Sequence, residues 1–295
     1  MRLYKILLSV LALAAIADKA NAQLDPMGSQ YYINQYISNP AFAGAGEGLK
    51  VNAAYRKLWS NVPGSPITQN ITADYGFDKV GLGLIVNNES AGLQRQTRVV
   101  GSYAYHLSLD GGQKLLHFGV SMGFTTQRLE NTDIYGNPND VLVGNYNGRK
   151  TYLDGDFGVA YTSGKLNIQG AIPNLKSFLK KDVIKQADLA TFYAAVSYKL
   201  DFGKGINGVH VEPKFAFRGV QGYTNIWDAG TQVAFADQQI LLLGMYHSTE
   251  SATFGLGMDF RKKYLISGMY TTQTSALSGY TNGSFELNLR VSLGK

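Results

Sequence analysis

A chain of 295 residues in which only 16% are charged is poor in charge, because charged residues make up about 25% of an average soluble protein. Its polarity comes from uncharged residues, including 34 glycines and 19 tyrosines, and its net charge of +6 is too weak and scattered to indicate nucleic-acid binding. The absence of cysteine excludes disulfide frameworks and thiolate metal sites.

Residues 1–22 predict a secretory signal peptide. Arg2 and Lys5 form a basic start, and the apolar run 6–16 that follows is too short to span a bilayer. Ala20-Asn21-Ala22 has the small-x-small pattern of a cleavage site, so we expect the mature chain to begin at Gln23. No cysteine follows the cleavage site, which argues against a lipoprotein.

The next stretch, residues 30–44, is aromatic and amide-rich and fits neither the leader nor the alternating pattern that follows it. Asn39-Pro40 predicts a turn. A mostly apolar segment outside the sheet must be buried elsewhere, so we predict that residues 23–48 lie below or inside the following domain as a plug. Its tyrosines combine apolar area with a hydroxyl that needs a partner, which suits a polar lumen. The candidate plug or partner-contact residues are Gln30, Tyr31, Tyr36, Asn39, Pro40, Phe42 and Gly44.

Residues 49–295 alternate between apolar and polar with period two, as half-buried β-strands do. No stretch there approaches the roughly 18 consecutive apolar residues of a membrane helix. An exported chain of this composition crosses lipid only as a closed sheet, in which every backbone group is paired. We therefore predict an all-β fold, a transmembrane antiparallel β-barrel of about 14 strands. The predicted strands lie near residues 49–56, 67–75, 82–86, 99–107, 116–124, 157–161, 166–172, 192–200, 209–217, 227–235, 240–246, 252–260, 264–271 and 285–293.

The predicted turns differ in length at the two barrel ends, as in outer-membrane barrels with short periplasmic turns and longer extracellular loops. The long set includes residues 59–66, 128–150, 173–190 and 272–282. Segment 173–190 has apolar residues at helical spacing, which fits an amphipathic helix at the mouth and a solvated loop equally well. In the first outer loop, the surface candidates Trp59, Pro63 and Pro66 fit either partner docking or an interfacial aromatic anchor.

Several charged residues fall on the predicted inward faces of the strands. They are Arg56, Asp74, Arg98, Asp154, Glu212, Arg218, Glu286 and Arg290. We expect the arginines to pair with acids such as Asp74, Asp154, Glu212 and Glu286. This packing role is favoured over ion selectivity.

The four histidines lack metal-ligand spacing: His106, His117 and His210 fall on predicted lumen positions, and His247 falls at a predicted loop. Ser102 with His106 would be the starting point for a barrel-wall hydrolase, but the pattern places no nucleophile beside a base.

Asp154 and Asp156, with Asn137 and Asp140, fit a solvated turn better than a calcium site. Glycine pairs such as Gly81/Gly83 open no helix, so they are not phosphate loops. No catalytic residue, metal ligand or cofactor is therefore predicted.

An ordered set of motifs over the mature chain resembles the PorP/SprF family of outer-membrane proteins of the type IX secretion system. The motifs are Gln30-Tyr31 with the Asn39–Gly44 box, Tyr55–Trp59 followed by Gly64-Ser65-Pro66, Gly81–Leu84, Ser102–His106, and Asn137–Asp140. The resemblance implies an outer-membrane barrel similar to the fourteen-stranded fatty-acid channels. It also implies a non-enzymatic part in protein secretion, gliding motility and cell-surface display.

The implied partners are periplasmic lipoproteins of the secretion apparatus and the C-terminal domains of secreted cargo such as adhesins. Outer-membrane lipid would surround the barrel, and no nucleic acid is implied. Two alternatives stay open: a channel for small hydrophobic molecules, and the barrel-wall hydrolase. The channel predicts a continuous apolar tunnel, whereas the secretion component predicts a lumen closed by the N-terminal segment and loops.

Overall fold

The computed structural model describes residues 28–111, 113–130, 151–176, 190–203, 205–220, 225–274 and 279–294. The predicted signal peptide, the Asn137–Asp140 motif and most of segment 173–190, for which a helix and a loop both stayed open, lie outside these residues. No helix in the described ranges is long and apolar enough to cross a membrane.

Within these residues the chain forms a single antiparallel sheet of fifteen strand segments. Their alternating sequences leave one face of each segment apolar, as the period-two pattern predicts. The segments are β1 (Gly48–Leu58), β2 (Ile67–Phe77), β3 (Val80–Ala91), β4 (Gln94–Ser108), β5 (Lys114–Leu129), β6 (Tyr152–Ser163), β7 (Leu166–Ile172), β8 (Ala190–Tyr198), β9 (Leu200–Phe202), β10 (Val209–Val220), β11 (Ile226–Phe235), β12 (Ile240–His247), β13 (Ser251–Phe260), β14 (Tyr264–Thr271) and β15 (Ser284–Leu293).

The sheet closes on itself as a fourteen-stranded barrel. Strand β1 pairs with β2 on one side and with β15 on the other, in register from Leu49 opposite Leu293 to Leu58 opposite Ser284. Segments β8 and β9 both pair with β10 and are two parts of one strand, interrupted at Lys199. The described segments thus make fourteen barrel strands, and the predicted strand count and positions are confirmed.

The outer wall is apolar and the inner wall is polar, the reverse of a soluble domain. Met122 and Phe124 on β5 and Leu287 on β15 are 66%, 57% and 63% exposed. Asn70 and Thr72 on β2 are buried instead. An apolar band on the outside of a closed sheet is what a barrel surrounded by lipid presents.

The described connections at the β2–β3, β4–β5, β6–β7, β11–β12 and β13–β14 ends are short turns. The longer loops lie at the opposite end, which we assign as extracellular. Two turns there, at residues 92–93 and 248–250, are short, so the asymmetry holds for most but not all connections.

Three short 3-10 turns, Gln30–Tyr32, Gln35–Ile37 and Pro40–Phe42, precede β1. We call residues 28–47 the N-terminal segment. Its side chains contact inward-facing residues of strands all around the barrel, so the buried apolar core lies between this segment and the inner wall.

Candidate functional site

The N-terminal segment runs through the lumen from the extracellular end to the periplasmic end. Near its start, the Ser29 amide donates to Glu286, close to the outer end of β15 (3.1 Å). Near its end, the Gly44 amide donates to Asp74, close to the inner end of β2 (3.1 Å). The chain then enters β1 at Gly48, so the described part of the segment lies inside the barrel rather than below it.

The outer part of the segment is held by a charged cluster. The Tyr31 hydroxyl donates to Asp228 on β11 at 2.7 Å. The same carboxylate lies 3.0 Å from Arg218 and 2.6 Å from Nδ1 of His247, and all three side chains are buried. Thr253 completes the cluster at 2.7 Å from Nε2 of His247. A buried ion pair of this kind needs such additional hydrogen bonds to offset the loss of solvation.

Hydrogen bonds also fix the middle of the segment. Tyr32 donates to the carbonyl of Lys214 (3.0 Å), and the Lys214 ammonium donates back to the carbonyl of Tyr32 (3.1 Å). That ammonium also lies 4.4 Å from the centre of the Tyr32 ring, a cation–π distance. Tyr36 donates to Ser102, which shares a hydrogen bond of 2.9 Å with Ser121.

Asn39 is fully buried and joins the segment to two strands. Its side-chain NH₂ donates to the carbonyls of Val159 (3.1 Å) and Gly170 (3.3 Å). Its side-chain oxygen accepts from the amide of Ala41 (3.0 Å) and caps the turn that Pro40 begins. The Asn39-Pro40 pair is therefore a buried cap as well as a turn.

Replacing Asn39 with alanine should destabilise the barrel by about 1–3 kcal/mol, because buried carbonyls lose their donors. Urea unfolding of the protein in lipid vesicles measures this loss. Asn88→Ala, which removes exposed hydrogen bonds with Gln69 and Thr97, is the control and should change stability by less than about 0.5 kcal/mol. Equal effects of the two substitutions would contradict the role given to Asn39.

A pair of histidines lies at the inner end of the segment, and one of them bonds to its backbone. Nε2 of His106 lies 3.1 Å from the carbonyl of Ala43, and Nδ1 lies 2.8 Å from Nδ1 of His117. A carbonyl only accepts, so His106 donates through Nε2 and accepts at Nδ1 from His117. Nε2 of His117 then accepts from Thr162, 2.9 Å away. The two rings thus form a directed chain that ends on the segment.

Inward-facing glycines on neighbouring strands make room for the inner half of the segment. A Cβ at Gly119 on β5 would overlap the backbone of Pro40 and Ala41, and a Cβ at Gly158 on β6 would overlap Asn39. Gly81 and Gly83 on β3 face Ala43 and Tyr36 in the same way. We call these four glycines the glycine cradle. They bring the strand backbone close to the segment, where any side chain would keep it away.

The plug candidates Gln30, Tyr31, Tyr36, Asn39, Pro40, Phe42 and Gly44 are all buried inside the barrel. The surface candidates Trp59 and Pro66 are partly buried, and Pro63 is exposed. All three lie in the first extracellular loop.

The predicted lumen arginines lie on inward faces, but their partners differ in part from those expected. The ion pairs are Arg56–Glu286 at 4.0 Å, Arg98–Asp156 at 2.7 Å, Arg218–Asp228 at 3.0 Å and Arg290–Asp259 at 2.6 Å. The expected partners Asp74, Asp154 and Glu212 accept from Gly44, Lys176 and Ser197 instead. Alternation gives the face of a residue, but barrel register decides its neighbour.

The prediction that His247 lies in a loop is wrong, because it is the buried last residue of β12. Asp154 and Asp156 lie within β6 rather than in a turn, and their carboxylates accept from backbone amides and from Arg98. No group of three metal-ligating side chains occurs among the described residues.

The structure does not join Ser102 to His106 as a nucleophile and base. Asp228, His247 and Thr253 stand in the order of a catalytic triad, but Thr253 is fully buried and its hydroxyl also contacts Ser29 and Thr271. A hydroxyl with three partners is a structural junction rather than a free nucleophile.

Sequence reasoning missed Asp228 and Asp259 as lumen charges. Alternation could have found them, because Asp228 follows the outward-facing Trp227, and Asp259 lies between the outward-facing Met258 and Phe260. It could not have shown that Tyr31 meets Asp228, because this contact joins residues 197 positions apart.

Comparisons with known proteins agree with the architecture. A family model described as type IX secretion system membrane protein PorP/SprF matches residues 20–291. The toluene transporter TbuX of Ralstonia pickettii is similar in structure with a TM-score of 0.54 and 13% identity, over 87% of this chain and 92% of that chain. The outer membrane protein Omp33 of Acinetobacter baumannii is similar with a TM-score of 0.51 and 8% identity, over 85% of this chain and 100% of that chain. These likenesses show the fold alone. No curated protein sequence matches the chain.

Proposed function

The chain belongs to the PorP/SprF family of type IX secretion system membrane proteins, and from this premise we propose that it is a non-enzymatic outer-membrane scaffold that assists export or surface attachment of cargo. Its partners would be periplasmic lipoproteins of the apparatus and the C-terminal domains of cargo such as adhesins. The observation that carries the proposal is the N-terminal segment, whose backbone amides and side chains are hydrogen-bonded to the inner wall over the length of the lumen.

A segment held at both ends and in the middle favours a permanent plug over a gate that opens for each molecule transported. Displacing it would break the Asn39 bonds, the Asp228 cluster and the reciprocal Tyr32–Lys214 bonds together. Cargo and accessory proteins would then bind at the two ends of the barrel, not pass through it.

The secretion role can be tested by deleting the gene and by purifying the tagged protein from solubilised membranes. We expect deletion to reduce one or more exported surface proteins and the tagged protein to retain secretion components or cargo. Unchanged surface proteins together with purification of the barrel alone would refute the secretion role.

A plugged lumen also predicts the outcome of cysteine labelling, for which the chain is suited because it has no native cysteine. Ser38→Cys and Tyr36→Cys place a thiol on the buried part of the segment, and Pro63→Cys places one in the exposed loop. A membrane-impermeant maleimide applied to intact cells should label Pro63→Cys and leave the other two largely unmodified. Rapid labelling of both lumen positions from outside would contradict a sealed lumen.

The alternative is a channel for small hydrophobic molecules, which the likeness to a toluene transporter favours at the level of fold. Such a channel needs a continuous apolar path. The inner wall instead carries buried polar residues such as Asn70, Thr72 and Asp74, and this polarity favours the scaffold.

A further inference from the structure

We propose that a cleft at the extracellular end of the barrel, here called the outer vestibule, is a binding site for a neutral saccharide. It encloses about 610 Å³ of empty space, including the part open to solvent, and lies between the first extracellular loop and the ends of β12 to β15. The cavity itself has a volume of about 60 Å³, so the cleft is shallow and a ligand would lie across its mouth rather than inside it. The proposal is independent of the secretion role.

The lining of the outer vestibule is rich in uncharged hydrogen-bonding groups. Ser251, Thr271, Thr272, Gln273 and Thr274 lie along its wall. The side-chain amide of Gln273 lies on the same wall and donates a hydrogen bond to the carbonyl of Thr281. Hydroxyls both donate and accept, and this versatility matches the hydroxyls of a sugar.

Trp59 supplies an aromatic surface at the same cleft. Its backbone is left-handed (φ +46°), a strained conformation for a bulky residue. Such strain persists only where neighbouring structure imposes it, and it clusters at ligand sites. An apolar ring beside polar groups suits a sugar, which presents C–H groups on its faces and hydroxyls on its rim.

Two extracellular loops cooperate to hold Trp59 in this position. The Trp59 amide donates to the carbonyl of Gly283 at 3.2 Å. Two residues farther on, the Asn61 amide donates to the side chain of Asn282 (3.3 Å), and the Asn282 amide donates back to the side chain of Asn61 (3.0 Å). The backbone that carries Trp59 is therefore fixed before any ligand binds, which lowers the entropic cost of binding.

The charges at the outer vestibule favour a neutral ligand. Arg56 lies 4.0 Å from Glu286, and Arg218 lies 3.0 Å from Asp228, so each arginine in the cleft has a carboxylate beside it. An anionic ligand would compete with these internal partners, whereas a neutral sugar needs only the hydroxyls, the amide of Gln273 and the ring of Trp59.

The two tryptophans of the chain allow a direct test. Trp227 stacks on Phe215 on the lipid-facing wall, and Trp227→Phe therefore leaves Trp59 as the only reporter without altering the cleft. The full-length protein in detergent is screened on an array of neutral oligosaccharides, and the bound glycans are titrated against Trp59 fluorescence. We expect a saturable change, and a loss of affinity of about tenfold or more in Trp59→Leu, measured by calorimetry.

Matched variants separate the cleft from the rest of the barrel. Trp59→Phe should retain most of the affinity, and Gln273→Ala should weaken it by about three- to tenfold, the effect of one hydrogen bond. Heat-modifiable migration on gels checks that each variant folds. Adding a neutral polysaccharide and an uncharged glycolipid that carries the same glycan as separate probes distinguishes a free glycan from one carried by the membrane, and binding of either supports the proposal.

Three results would overturn the saccharide site. One is the absence of any bound glycan on the array and in the fluorescence titrations. Another is saturable binding of uncharged tetrapeptides without binding of glycans, which would make the cleft a peptide site. The third is glycan binding that a folded Trp59→Leu variant leaves unchanged.

Discussion

Gly119→Ala is expected to destabilise the barrel by about 1–3 kcal/mol and to push the N-terminal segment out of place, although it adds a single methyl group. The methyl would overlap the backbone of Pro40 and Ala41, which cannot rotate away as a side chain would. Urea unfolding in lipid vesicles measures the loss of stability. Conductance in planar bilayers measures whether the lumen opens, and we expect channel events that the parent protein lacks.

The neighbouring strand offers a matched control for this substitution. Gly101 on β4 faces open space on the outer wall, so Gly101→Ala adds the same methyl group without a clash. It should leave conductance unchanged and alter stability by less than about 0.5 kcal/mol. If Gly119→Ala behaved like Gly101→Ala in both measurements, the glycine cradle would have no role in seating the segment.

The barrel itself could be predicted from the sequence because its determinants are local. Alternation such as that of Phe285, Leu287 and Leu289 fixes which face of a strand meets lipid, and turn residues fix where it ends. The interruption at Lys199 was not predicted, because a break of one residue leaves the alternation on both sides intact.

The lumen contacts were harder to predict because they join distant parts of the chain. A tyrosine such as Tyr31 shows that a hydroxyl needs a partner, but not that the partner is Asp228. Likewise, Gly119 in an alternating strand looks like a weak strand residue, and its use as space for Pro40 appears only when the strands close around the segment.

The same limit explains the ion pairs. Arg98 on β4 forms an ion pair with Asp156 on β6, and β5 lies between these two strands. Each strand of a barrel is shifted along its length relative to the next, and these shifts add up around the barrel. Which inward-facing residues lie close together therefore depends on the register of several strand pairs. Sequence alternation therefore gives the set of lumen charges and leaves the pairing among them open.

Asp228→Asn is expected to have the largest effect of any single charge removal at the outer end, about 3–5 kcal/mol. The substitution takes the negative charge from a carboxylate that contacts Arg218, His247 and Tyr31 within 3.0 Å in a fully buried site. The guanidinium of Arg218 would then stay buried beside a neutral amide. Unfolding in vesicles measures the stability, and labelling of Ser38→Cys in the same background measures release of the segment.

Two comparisons distinguish a buried charge cluster from an ordinary ion pair. Asp237→Asn removes the charge of an exposed pair with Lys262 at 3.4 Å, and such pairs contribute only about 0–1 kcal/mol. The double variant Asp228→Asn/Arg218→Met removes both buried charges, so it should recover part of the stability that the single variant loses. No recovery in the double variant, together with equal losses in Asp228→Asn and Asp237→Asn, would mean that the cluster does not hold the segment through its charge.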